Sequence, residues 1–311
     1  MKTTFKNLII LIIAIFLVAG FFLLFNNPKK SAKIISANFV GFDFARAITG
    51  SDENIEMLMA PGTEAHSYDP TPADIIAIKN ADLFIYNGGK SDAWVDRILT
   101  SNNIPEEKTL RLMDFVSLKE GEATEGMESE EHSHESEYDE HIWTSLKNSI
   151  KLIEAIHDKL TSLYPDQADS YTKNSGTYIS RLNNLDEAIA NVVKNTTSPT
   201  LIFGDRFPFR YFVDDYGLDY YAAFPGCSDQ VEASASTIAF LIDKSKEINA
   251  KVIFKIELTS DKLARTIADE SGAKVLELHS AHNISSDDFK NGVTFADLME
   301  RNLAALKEAL N

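Results

Sequence analysis

Short apolar runs alternate with helical patterns along most of this chain. Runs rich in Ile, Val, Leu and Phe are typical of strands buried in a parallel sheet, and apolar residues three or four positions apart indicate a helix. The predicted strands cover residues 33–40, 55–59, 81–89, 200–204, 251–257 and 274–279. This alternation in both halves predicts an α/β fold of two lobes, each with a mostly parallel sheet flanked by helices.

One helical pattern, from Asp166 to about Asn195, is much longer than the others. Its apolar residues form a single stripe: Tyr171, Tyr178, Leu182, Leu185, Ile189 and Val192. A stripe of roughly eight turns predicts one long, rigid helix that joins the two lobes. The predicted organisation is an N-terminal signal and anchor at 1–32, a lobe at 33–164, the connecting helix at 165–196 and a second lobe at 197–311.

The N-terminal segment has the features of a membrane-targeting element. Lys2 and Lys6 precede Leu8–Phe25, which contains only apolar residues and glycine. This stretch approaches membrane-spanning length and lacks a clear small-residue cleavage site, so we expect a retained anchor with the rest of the chain outside the cytoplasm. The single cysteine, Cys227, lies far from this segment, which predicts that the protein is not a lipoprotein and has no intrachain disulfide and no thiolate metal site.

The net charge of -17 argues against a nucleic-acid partner, because phosphate binding requires excess Lys and Arg. Much of this charge lies at 120–140, a segment with almost no apolar residues that is typical of a mobile loop. It contains His132 and His134. Two interpretations stay open for them: a solvated charge run, or an accessory loop that collects metal ions weakly.

Several potential metal ligands follow predicted strands. They are His66, Asp205, Glu257 and His279, and His141 comes just before a predicted helix. In open α/β sheets, ligands bind at the carboxyl ends of the strands. Two lobes that face each other would therefore direct these groups into one cleft.

Several motifs resemble the extracytoplasmic zinc- and manganese-binding subunits of metal ABC importers. They are PGTEAHSYDPTPADIIAIKNADLFIYNGG (61–89), Trp94, DEHIWTSLKNSIKLIEAI (139–156), FRYFVDDYGL (209–218) and MERNLAAL (299–306). The resemblance covers about residues 33–311. It implies two α/β lobes joined by a long helix, with one divalent ion buried between them, and it places His66 and His141 at the two ligand positions of the N-terminal lobe.

The second lobe departs from the pattern of that family. Arg206 occupies the position where a His or Glu ligand is expected, and arginine has no lone pair for a metal. We expect Asp205 to replace it and His279 to stand in place of the usual final Asp. The alternative is that Arg206 forms a salt bridge elsewhere and the site has fewer protein ligands. Glu257 is expected to orient an imidazole or, alternatively, to act as the fourth ligand. His282 is interpreted as a surface histidine.

The resemblance predicts a substrate-binding subunit that captures Zn²⁺ and delivers it to a membrane permease, as a monomer and not as an enzyme. Three imidazoles and one carboxylate suit tetrahedral Zn²⁺ better than Mn²⁺, although Mn²⁺ stays possible. Binding should weaken below about pH 6, because imidazoles with a pKa near ~6.5 become protonated. The alternatives are a manganese or iron importer subunit, and a surface adhesin with a degenerate metal site.

Overall fold

The N-terminal half contains a four-stranded parallel sheet with strand order β2-β1-β3-β4. The computed structural model describes residues 34–63, 68–127, 138–226 and 232–311. The strands are β1 (Ile34–Ser36), β2 (Ile55–Met57), β3 (Leu83–Tyr86) and β4 (Thr109–Arg111). The helices are α1 (Phe39–Thr49), α2 (Pro72–Asn80), α3 (Ala93–Ser101) and α4 (Leu146–Leu163).

The C-terminal half repeats this architecture, with a parallel sheet of order β6-β5-β7-β8. Its strands are β5 (Thr200–Phe207), β6 (Asp219–Pro225), β7 (Val252–Lys255) and β8 (Lys274–Glu277). Between the halves lies α5 (Ala168–Lys194). The helices that follow it are α6 (Arg210–Tyr216), α7 (Ala235–Glu247), α8 (Lys262–Ser271), α9 (Ser286–Lys290) and α10 (Phe295–Leu310).

The 27-residue helix α5 packs against α1 and α4 of the first half and against α10 of the second. Five residues of its stripe are buried in one hydrophobic core that includes both halves: Tyr171, Leu182, Leu185, Ile189 and Val192. The predicted α/β fold with one long helix is therefore confirmed, whereas the predicted lobe boundaries stay a prediction. Among the described residues, none of the helices combines the length and apolar character needed to span a membrane.

In the sequence, Thr71, Pro72 and Asp74 predict the start of a helix, with Thr71 as its N-cap. Thr71 caps α2 and forms a reciprocal capping box with Asp74, as expected for Thr and Asp around a first-turn Pro. The strand predicted at 33–40 is shorter, because the Asn38 side chain accepts a hydrogen bond from Gly41 N–H and caps α1. Conversely, β5 continues to Phe207, past the predicted end of its strand.

Some sequence predictions fall outside the described residues. These are the anchor at 1–32, His66, His132, His134 and Cys227.

Candidate metal site

Two histidines and one glutamate meet in the interior of the molecule. Glu140 and His141 come from the first half and His282 from the second, and each offers a ligand atom within 4.8 Å of the others. Glu140 and His141 are 1% exposed and His282 is 8% exposed. The two imidazole rings are 5.2 Å apart between centroids. Imidazole and carboxylate groups gathered in this way are the ligand types that bind Zn²⁺.

The orientation of His141 is determined by Asp139. One carboxylate oxygen, Oδ1, accepts a hydrogen bond from the backbone N–H of His141 at 2.8 Å and lies 3.1 Å from its ring Nδ1. The carboxylate favours the tautomer with the proton on Nδ1, so the ring lone pair that can bind a metal ion is on Nε2. Thr144 Oγ1 donates to the carbonyl of His141 and fixes the turn that leads into α4.

The carboxylates around His141 also change its proton affinity. Burial disfavours the charged imidazolium and by itself would lower the pKa of His141. The negative charges of Asp139, Glu140 and Glu257 outweigh burial, so the pKa is raised. A site that attracts a proton in this way also attracts a divalent cation, and the two compete for the same imidazole.

The loop that carries His282 is held by the carboxylate of Glu257. This carboxylate accepts hydrogen bonds from Ser280 N–H at 2.7 Å, Ser280 Oγ at 2.6 Å and His282 N–H at 3.2 Å. Between them, Ala281 has a φ of 61°, in the left-handed region that a non-glycine residue rarely adopts. Glu257 thus stabilises a strained turn that directs His282 inward.

The side chain of Glu140 is held by the loop that follows β3. The two carboxylate oxygens accept hydrogen bonds from Ser91 N–H at 2.8 Å and from Ser91 Oγ at 2.5 Å. The backbone carbonyl of Glu140 accepts another from Asn87 Nδ2 at 2.8 Å. Gly89 is needed here, because a Cβ at this position would lie 2.3 Å from Glu140 Oε2. A carboxylate oxygen has two lone pairs, so a carboxylate that accepts hydrogen bonds can also bind a metal ion.

Glu140 was missed by the sequence analysis, which assigned it to the mobile acidic loop at 120–140. That assignment is wrong at the end of the segment, where both Asp139 and Glu140 are buried. The interpretation of His282 as a surface histidine is also wrong, for the same reason. Glu140 could have been identified as a candidate by its position directly before His141. His282 could have been identified by its position only three residues after His279.

Two of the predicted ligands lie outside this group of three. The carboxylate of Asp205 accepts hydrogen bonds from Arg206 N–H at 2.8 Å, Ile256 N–H at 3.1 Å and Thr259 Oγ1 at 2.5 Å, so it ties β5 to the chain after β7. His279 Nδ1 accepts a hydrogen bond from Ala281 N–H at 2.9 Å. The assignment of Asp205 and His279 as ligands stays a prediction, as does that of His66.

A small cavity of about 30 Å³ adjoins the group, and His141, His282, Glu257 and Arg206 are among the residues that line it. Pockets for organic ligands are typically about 300–1,000 Å³, so this space suits an ion. Arg206 is 7% exposed and contributes a permanent positive charge to the wall. Two α/β halves around an ion-sized site of His and carboxylate groups indicate a metal-binding protein.

Comparison with known families identifies the class more closely. A family model described as the periplasmic component A of the zinc-uptake complex, ZnuA, matches residues 34–309. The chain belongs to this family.

Two known proteins and one crystal structure illustrate the similarity. The zinc-binding lipoprotein AdcA of Streptococcus pneumoniae strain R6 is 32% identical over 300 residues, and the match covers 95% of this chain but only 58% of AdcA. The high-affinity zinc uptake system protein ZnuA of Bacillus subtilis is 30% identical, with 89% of this chain and 87% of that protein covered. The crystal structure of the Zn(II)-bound ZnuA-like domain of S. pneumoniae AdcA superposes with a TM-score of 0.73 at 30% identity, covering 89% of this chain and 98% of that domain.

Proposed function

We propose that this protein captures Zn²⁺ outside the cytoplasm and delivers it to the membrane permease of an ABC importer. The observation that carries the proposal is the convergence of two buried imidazoles and a buried carboxylate from opposite halves of the chain. The family membership and the zinc-binding names of the relatives support the same conclusion.

The proposed ligands are His141, His282 and Glu140, with His66 as the fourth. Four ligands of these types match the tetrahedral preference of Zn²⁺. Asp205 and His279 are the alternative ligands that the sequence predicts. We favour His282 over His279, because His282 lies within reach of His141 and Glu140.

Capture requires the ion to exchange its water for protein ligands. The burial of the site strengthens each charge interaction with the ion, and the carboxylates of Glu140 and Glu257 offset the charge of Arg206. His132 and His134 are proposed to collect ions weakly before transfer to the buried site.

The proposal extends to how the protein acts at the membrane. AdcA of S. pneumoniae is named a lipoprotein. Because the only cysteine of the present chain is Cys227, we propose that Leu8–Phe25 anchors it instead. We further propose that it acts as a monomer and catalyses no reaction.

Metal analysis tests this function directly. Protein purified without added metal is expected to contain one zinc per chain, and competitive titration with a chelator of known affinity should show preference for Zn²⁺ over Mn²⁺. Absence of bound metal and of any titratable zinc site would overturn the proposal, whereas a preference for Mn²⁺ would indicate a manganese importer subunit.

Single substitutions test the ligand set. His141→Ala and His282→Ala should each abolish tight zinc binding. His279→Ala should retain it, as should the double variant His132→Ala with His134→Ala. Loss of binding in His279→Ala with binding retained in His282→Ala would restore His279 as the ligand.

A further inference from the structure

The chain closes into a short paired stem just before His141. Asp139 N–H donates to the carbonyl of Lys119 at 2.8 Å, and Glu120 and Tyr138 form an antiparallel bridge. The stem, defined as Lys119–Glu120 paired with Tyr138–Asp139, therefore joins the two ends of the acidic segment. His141 follows it by only two residues.

A single tyrosine hydroxyl from the C-terminal half holds both sides of this stem. Tyr211 on α6 is 1% exposed, and its hydroxyl donates to the carbonyl of Asp139 at 2.9 Å. The same hydroxyl accepts a hydrogen bond from Lys119 N–H at 3.0 Å. The contact joins residues that are 72 and 92 positions apart in sequence.

Charged pairs around Tyr211 bind the same two pieces of structure together. Asp214 of α6 forms an ion pair with Lys119. Arg210 forms an ion pair with Glu122 at 3.1 Å, just beyond the stem. These pairs are more exposed than the hydroxyl contact and contribute less, because water screens them. The buried Tyr211 hydroxyl is therefore the central contact between α6 and the stem.

We infer that Tyr211 is a positioning residue for the metal site, acting through Asp139. The Asp139 carbonyl is bound by Tyr211, and the Asp139 carboxylate orients the imidazole of His141. When the hydroxyl is absent, the stem can open and the carboxylate loses its fixed place beside Nδ1. The inference rests on the proposed function, since it assumes that His141 binds the ion.

Tyr211→Phe tests the inference with a matched control. The phenyl ring keeps the core packing while both hydrogen bonds to the stem are lost. Removal of a group that orients a metal ligand typically weakens metal binding by about 10–100-fold, so we expect an increase of at least about tenfold in the zinc dissociation constant. The control is Tyr216→Phe on the same helix, whose hydroxyl donates to Asp186 at 2.7 Å. It should leave zinc affinity unchanged.

Two measurements separate positioning from a general loss of stability. The absorption spectrum of bound Co²⁺ reports ligand geometry and should change in Tyr211→Phe but not in Tyr216→Phe. In a double-mutant cycle with Asp139→Asn, the two losses of zinc affinity should be less than additive, because both residues act through the same imidazole.

The outcomes distinguish this inference from the proposed function. If the wild-type protein binds no zinc, the function itself fails. If the wild type binds zinc while Tyr211→Phe matches the Tyr216→Phe control in affinity and in the Co²⁺ spectrum, the inference is overturned and the function stands. If Tyr211→Phe does not fold, Asp139→Asn is the test. A wild-type zinc affinity and Co²⁺ spectrum in Asp139→Asn would overturn the inference.

Discussion

The indole Nε1 of Trp143 donates a hydrogen bond to the carbonyl of Ser280 at 2.7 Å. This contact joins the segment that carries His141 to the loop that carries His282. The indole ring also lies against both imidazoles, with centroids 5.6 Å from His141 and 5.1 Å from His282. Trp143 thus fixes the relative position of two proposed ligands that belong to different halves of the chain.

Trp143→Phe should weaken zinc binding by about tenfold, because the two ligand-bearing segments lose their direct link. The buried Ser280 carbonyl also loses its partner, which should lower the free energy of unfolding by about 1–3 kcal/mol. Competitive zinc titration and urea unfolding measure the two effects. Trp94→Phe is the control: its tryptophan packs against Tyr68 and Phe84 in a separate core cluster of the first half. Equal zinc affinity in both variants would contradict the prediction.

Glu257→Gln should displace the loop of His282. The carboxylate accepts three hydrogen bonds, whereas a glutamine amide presents an NH₂ group toward at least one of these donors. We expect zinc affinity to fall about 10–100-fold. Isothermal titration of metal-free protein measures the loss. Glu277→Gln, in the exposed pair with Lys255, is the control and should bind zinc as the wild type does. Unchanged affinity in Glu257→Gln would show that Ala281 and its neighbours maintain the turn unaided.

Asp43→Asn should destabilise the fold without changing the metal site. The fully buried carboxylate of Asp43 accepts hydrogen bonds from Tyr178 Oη at 2.6 Å, Phe295 N–H at 2.8 Å and Arg46 at 2.5 Å. It therefore joins α1, α5 and α10. Loss of the charge leaves Arg46 without its buried partner, which should lower the free energy of unfolding by about 3 kcal/mol.

Urea unfolding of metal-free protein checks the effect of Asp43→Asn. The control is Asp158→Asn, whose carboxylate is 82% exposed beside His157 and should contribute little. A loss no larger than in this control would show that the contact between α1, α5 and α10 is maintained by apolar packing alone.

Arg181→Gln should change how stability depends on pH in the acid range. Burial raises the pKa of Asp297, but hydrogen bonds from Arg181 and Thr294, with the Arg181 charge, overcome this effect and bring the pKa to about 2. Because the folded-state pKa lies below the unfolded value near ~3.9, this group contributes stability above that pH, and the contribution is lost as pH falls toward 2.

The difference in unfolding free energy between wild type and Arg181→Gln should therefore be constant above about pH 5 and shrink as pH falls from about 4 to 2. Urea unfolding of metal-free protein across this range measures it. Arg265→Gln, which removes an exposed pair with Asp261, is the control. A difference that does not vary with pH would contradict the prediction.

Local patterns in the sequence determined most of the architecture. The single apolar stripe predicted α5, and the Thr71–Asp74 signal marked the start of α2, because capping and amphipathicity depend on residues only a few positions apart. Apolar runs predicted six of the eight described strands, whereas β4 and β6 were not predicted. His141 was identified by the motif around it, and the structure places it in the buried group.

Only the tertiary structure decided which other groups join His141. Periodicity carries no information in an irregular loop, so the sequence could not distinguish His279 from His282. The position of His282 beside His141 depends on the left-handed turn at Ala281, which Glu257 stabilises from another strand end. Likewise, the carboxylate of Asp205 accepts hydrogen bonds from residues 51 and 54 positions away. The loop at Ser91 buries Glu140. These contacts form between distant segments, and their geometry exists only once both halves have packed.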